Sequence, residues 1–149
     1  MKRFTFRLER LLHLREAAEK ERARQLGDAI RDEEQRRADL QASQDRLAEA
    51  REQRASMPPE LSQAGTLTNL ELSIDRLAGE TRSLEDNHGE SVARVEAERT
   101  RFEQARVARR VIERLREHRR EAWGVEANRQ DQSVNDEAGQ RAHGGKEEM

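Results

Sequence analysis

The sequence predicts an all-α protein, a long antiparallel two-helix coiled-coil hairpin. Composition comes first. Charged residues fill 40% of the 149 positions, hydrophobic residues only 33% and aromatics 3%, whereas a globular domain usually has nearly half apolar residues and about a quarter charged. So little apolar surface cannot offset the entropy of ordering a thick core, which leaves either disorder or long helices that bury one narrow stripe. Second, Ala, Leu, Glu, Arg and Gln dominate, all strong helix formers, and the only two prolines are adjacent. Third, apolar residues recur in alternating steps of three and four, the period of a coiled-coil seam.

The first helix is expected over about 6–55. Leu8, Leu11, Leu12 and Leu14 give it a dense apolar start. Leu12, Leu26, Leu40 and Leu47 then share one heptad position, with Ala23, Ile30, Arg37 and Gln44 in the companion position, a seam diluted by polar residues. Glu16–Lys20, Asp32–Arg36 and Glu33–Arg37 stand at i,i+4 with the acid on the N-terminal side, the favoured order.

Ala55-Ser56-Met57-Pro58-Pro59 breaks the pattern, since consecutive prolines remove two amide donors and each restricts the residue before it. With Gly65 following, the turn is expected at about 56–66. Thr68 and Glu71 match a capping box, which puts the second helix at about 68–127. Its seam reads Leu67, Leu70, Ile74, Leu77, Thr81, Leu84, His88, Ser91, Val95, Glu98, Phe102, Ala105, Arg109 and Ile112. Val111, Leu115 and Ala122 move to a neighbouring stripe, so either the supercoil unwinds there or a partner covers that face. Beyond Trp123-Gly124 the apolar pattern vanishes, and 128–149, with Gly139, Gly144 and Gly145, reads as a polar tail that frays. The expected organisation is thus one hairpin over 1–127 plus that tail. Helices of roughly 50 and 60 residues would reach about 75–90 Å at a rise of 1.5 Å per residue.

Several function classes find no support in these residues. The formal net charge of −2 selects no polyanionic partner such as nucleic acid, and the absence of cysteine removes disulfides and thiolate metal sites. Arg7, Glu9 and Arg10 interrupt any apolar core after Met1-Lys2-Arg3, so no secretory signal is read. No apolar run approaches the roughly 20 residues of a membrane span, so direct membrane insertion is not expected. His13, His88, His118 and His143 include no pair at i,i+3 or i,i+4 for a metal on a helix face. The many carboxylates read as solvated helix faces, and neither a phosphate loop nor a nucleophile signature occurs. A non-enzymatic protein without cofactor or metal is expected. His88 on the seam reads as a tolerated polar residue, the alternative being a pH switch.

Two features stand above a plain solvated surface. Arg99, Arg101, Arg106, Arg109, Arg110, Arg114, Arg116, Arg119 and Arg120 face only Glu103, Glu113 and Glu117 in the same stretch, a local charge of +6. Arginine pairs carboxylates in bidentate fashion, which suits an acidic protein surface better than a nucleic-acid stripe spread around a helix. The other feature is the lone Trp123, either an interface anchor or a cap packed against Phe4 or Phe6.

Three segments carry a family resemblance. The run Phe4-Thr5-Phe6-Arg7-Leu8-Glu9-Arg10-Leu11-Leu12-His13-Leu14-Arg15-Glu16 resembles the start of the FliJ family, the small coiled-coil subunit of the flagellar protein-export apparatus. Val111 to Trp123 is similar to the family's stretch of leucine, charged run and aromatic, and Asn135-Asp136-Glu137-Ala138-Gly139-Gln140-Arg141 to its closing Asp-Glu-x-Ala pattern. Gly124 and Gly139 depart from a strongly helical family tail.

The resemblance implies a function that composition and spacing do not. FliJ-like proteins are antiparallel two-helix stalks that sit in the export ATPase ring, alongside its regulator. They link the ring to the membrane export gate and handle export chaperones. The implied place is cytoplasmic, at the inner face of the cell membrane under the flagellum. In such a stalk, Phe6, Leu8, Leu12, Arg116, Arg119, Arg120 and Trp123 would converge at the end that carries both termini, as the partner-binding set. Stalk subunits of virulence-type secretion share this architecture and remain an alternative. So do a generic self-associating coiled coil and, third, a nucleic-acid-binding rod.

Overall fold

The computed structural model describes residues 3–58, 60 and 64–144. They form two helices, α1 (Glu9–Ser56, 48 residues) and α2 (Ala64–Gly144, 81 residues). The fold class is the expected one, an all-α two-helix hairpin. Pro59 and residues 61–63 of the expected turn, and residues 145–149 of the expected tail, lie outside the described residues.

The helix bounds differ from the sequence reading at three places. Helix α1 begins at Glu9, and residues 3–8 precede it as irregular chain closed by a turn in which the Glu9 amide donates to the Phe6 carbonyl at 3.1 Å. Two phenylalanines and a β-branched Thr5 lose side-chain freedom in a helix, so this segment gains more by packing its rings elsewhere. Helix α2 begins at Ala64, a full turn before the expected cap. Thr68 is therefore interior, and its hydroxyl donates to the Ala64 carbonyl at 2.8 Å. Glu71 accepts instead from Arg54 of α1 at 2.6 Å. Once the prolines are passed, nothing between Gly65 and Thr68 forbids helical dihedrals, so the helix forms before the capping box. At the far end α2 continues to Gly144, although every described side chain from Asn128 to Arg141 is exposed. Extending an existing helix needs no new nucleus, and the segment holds no proline.

The chain divides into two compact units. The first, Lys20–Glu103, pairs the C-terminal part of α1 with the N-terminal part of α2. Its cross-helix contacts run Glu33 with His88, Ser43 with Thr81, Arg46 with Glu80 and Arg54 with Glu71. As the α1 member climbs, the α2 member falls by nearly the same amount, the signature of an antiparallel pair. Within this unit, every expected α2 seam residue from Leu67 to Phe102 is buried or half-buried, with Ile74 and Val95 below a tenth exposed. On α1, Leu26, Leu40 and Leu47 also face inward. Their companions are displaced by one residue. Ala29 and Ser43 are buried at 1% and 0% exposure, Ile30 is half-buried, and Ala23, Arg37 and Gln44 are exposed. Reading for the larger apolar residue selects Ile30, but the buried line admits small side chains that let a neighbouring backbone approach.

The second unit combines Met1–Glu19 with Gln104–Met149. Leu12, 1% exposed, is its central packed side chain. Within this unit Leu8, Leu11, Ala105, Arg109, Ile112 and Arg116 are half-buried, and the α2 members are spaced by four, three and four residues. Ion pairs Glu19–Arg109 and Glu9–Arg116 fix an antiparallel register here too.

Candidate partner-binding site

The unit that contains both Phe4 and Trp123 carries a groove of about 770 Å³. The irregular segment 3–8 supplies one wall and helix α2 the other, through Leu115, Arg119 and Trp123. Because residues 3–8 are not helical, Phe4 and Phe6 are free to lie along α2. The Phe4 and Trp123 rings sit with centroids 6.0 Å apart and planes tilted by 55°, a geometry that aromatic quadrupoles favour. Trp123 nonetheless keeps 38% of its surface exposed. It therefore both packs on Phe4 and offers an unfilled apolar face.

The seven sequence-predicted site residues separate into three groups. Phe6, Leu8, Arg119 and Trp123 line the groove together. Leu12 is not among the groove's described lining residues and is fully buried, at 1% exposure. Arg116 is half-exposed and committed to Glu9 at 3.2 Å, and Arg120 is exposed outside the groove lining. The structure adds Arg3, Phe4, Arg7 and Leu115 to the lining. Phe4 has a sequence signal as one of the two rings expected to cap Trp123, and of Phe4 and Phe6 it is Phe4 whose ring meets the indole. Leu115 has one as a leucine off the heptad, and at 36% exposure it remains without a full cover.

The basic stretch of α2 is partly neutralised. Arg109 lies between Glu19 and Glu113, bonded to Glu113 at 2.6 Å, and the Glu19 contact with added help from Glu113 raises its guanidinium above the usual arginine range. Arg99 pairs with Glu96 and Arg101 with Glu98. Arg110, Arg114, Arg119 and Arg120 are exposed. Val107 and Val111, at 58% and 60% exposure, stand with Leu115 at successive four-residue steps on a face that α1 does not cover. The stripe that leaves the heptad is thus an exposed one.

Among the described residues, no group of His, Asp and Glu is arranged to hold a metal ion, and no helix is long and apolar enough to cross a membrane. A family model described as Flagellar FliJ protein matches residues 4–148. No curated protein and no solved structure gives a match.

Proposed function

The chain belongs to the FliJ family, and from that premise we propose that it is a non-enzymatic stalk and adaptor of the flagellar protein-export ATPase complex. In this reading it couples the ATPase ring to the membrane export gate, handles export chaperones and works in the cytoplasm at the flagellar base. The observation that carries it is the groove with Phe6, Leu8, Arg119 and Trp123 on one surface, because a half-exposed aromatic beside guanidinium groups is the composition of a protein-binding anchor. ATP chemistry belongs to the partner, and this chain contributes contact and orientation. Leu12 supports the surface from within, and Arg120 extends its positive rim.

The test is co-purification and stimulation of the export ATPase by the full chain. Reversing Arg119 and Arg120 to Glu should leave helicity intact, since both are exposed. It should weaken ATPase binding more than reversal of the exposed Arg51 and Arg76 in the other unit. A variant that stimulates the ATPase like the parent would remove this surface as the docking site. The exposed Val107-Val111-Leu115 stripe favours one other reading, a coiled coil that self-associates through it. Sedimentation separates the two, since a concentration-dependent oligomer abolished by Val111→Glu belongs to the self-association reading alone.

A further inference from the structure

Acidic residues outnumber basic ones in the whole chain, 31 to 29, yet the groove reverses that balance. Arg3, Arg7 and Arg119 line it, and among the described residues no carboxylate does. Arg109 and Arg116 of the same unit show the contrast, since both are already occupied by carboxylates of α1. Phe4, Phe6, Leu8 and Trp123 line the same groove. The site thus combines an apolar lining, an indole that keeps over a third of its surface exposed, and guanidinium groups to which no described lining residue supplies a counter-charge.

We infer that the groove receives an acidic segment of a partner protein that carries a protruding apolar side chain. The inference rests on the docking reading above and adds the chemistry of what enters the groove. Charge complementarity fixes the sign, because three arginines with no carboxylate among the described lining residues favour carboxylates and penalise a basic segment. Shape fixes the class. A volume of about 770 Å³ lies in the range of pockets that enclose side chains or small ligands. A lipid surface is instead entered by protruding apolar groups, and here the aromatic rings form a recess. The apolar side chain would cover the open face of Trp123, and the flanking carboxylates would meet Arg119 on one wall and Arg3 or Arg7 on the other.

Trp123 is the only tryptophan and the chain has no tyrosine, so intrinsic emission reports this groove directly. The probe is a capped peptide with one phenylalanine between glutamates, titrated into the full chain. One control replaces the glutamates by lysines, and another replaces the phenylalanine by serine. The expected result is a saturable emission shift with the first peptide, at least about tenfold weaker binding of both controls, and weakening with added salt. Arg7→Glu with Arg119→Glu should invert the preference toward the lysine peptide. The salt titration of the parent keeps the test independent of whether that variant folds. No saturable shift, equal binding of the lysine peptide, or a shift with phosphatidylglycerol vesicles and none with the peptide would each overturn the inference. Peptide binding together with an export ATPase indifferent to the chain would uphold the groove chemistry and sink the docking reading. An ATPase that needs Arg119 while the groove ignores the peptide would do the reverse.

Discussion

His88 of α2 lies 2.9 Å from the Glu33 carboxylate of α1, and Arg37 holds the same carboxylate at 2.7 Å. Glu33 is 8% exposed, so a charge has been drawn into the line between the helices with two donors to satisfy it. The Arg37 hydrogen bond, then that of His88, holds the Glu33 carboxyl below the usual carboxylate range. A group depressed in the folded state contributes stability that is present above its unfolded value, about 4.3, and is lost as pH falls through the folded one. The melting temperature of the parent should therefore drop on acidification below about pH 4. Glu33→Gln should flatten that acid limb in melts followed by circular dichroism. An unchanged limb would mean that Glu33 carries none of the acid sensitivity.

The register of α1 gives a sharper test. Ser43 is fully buried and bonded to Thr81 at 2.8 Å. The Thr81 hydroxyl already donates to the Leu77 carbonyl at 2.8 Å, so Ser43 is the donor between the two. Ser43→Leu overfills this position and should cost about 1–3 kcal/mol. Gln44→Leu, on an exposed position, should change stability by less than about 0.5 kcal/mol. Denaturant melts of the two variants would decide, and the opposite order would restore Gln44 to the seam.

These two positions also mark where the sequence becomes legible and where it stops. The α2 seam from Leu67 to Ile112 could be read because three-four spacing survives substitution by Thr81, His88, Ser91 and Glu98, all of which face inward. The α1 companions could not, because Ala29 is weakly apolar beside the larger Ile30, Ser43 is polar, and both are buried through their small size. The capping box at Thr68 misled because a good cap motif does not prevent a helix from starting one turn earlier. At the groove, Phe6, Leu8, Arg119 and Trp123 could be named from an amphipathic start and a lone tryptophan. The lone tryptophan also points to Phe4 or Phe6 as its cap, but that the ring is Phe4, and that residues 3–8 form a wall of the groove, depends on the helix beginning at Glu9, which spacing does not encode.

Antiparallel pairing within the unit Lys20–Glu103 predicts a specific cross-link. Leu47 stands beside Arg46, which meets Glu80, and Leu77 precedes Thr81, which meets Ser43. Cysteines at Leu47 and Leu77 should therefore join within one molecule on mild oxidation. Denaturing gels without reductant should show a faster monomer band. Exclusively dimeric bands would contradict the intramolecular hairpin.

The Phe4–Trp123 contact predicts an optical signature. Phe4→Ala removes the ring tilted against Trp123 and should red-shift the emission, with helicity nearly unchanged because Phe4 precedes α1. Phe102→Ala lies on the seam of the other unit and should lower stability while leaving the emission maximum in place. Equal emission maxima for Phe4→Ala and the parent would show that solvent already governs the indole.

Arg116 calls for a separate test, because its charge has a structural partner. It pairs with Glu9 at 3.2 Å, with both side chains about two-fifths exposed, so the pair itself contributes only about 0.2–1 kcal/mol. Arg116→Glu places two carboxylates side by side, and weaker ATPase binding by that variant alone would not separate lost contact from local repulsion. Adding Glu9→Arg restores an opposite-charge pair with its polarity exchanged between the helices. If Arg116 works only by holding α1 against α2, the exchanged pair should recover both stability and ATPase binding. If Arg116 meets carboxylates of the partner, stability should return and binding should not, because the positive charge now sits on the other helix. Thermal melts and ATPase co-sedimentation on the two single variants and the exchange complete the cycle. Full recovery of binding would remove Arg116 from the docking surface and leave that role to Arg119, Arg120 and Trp123.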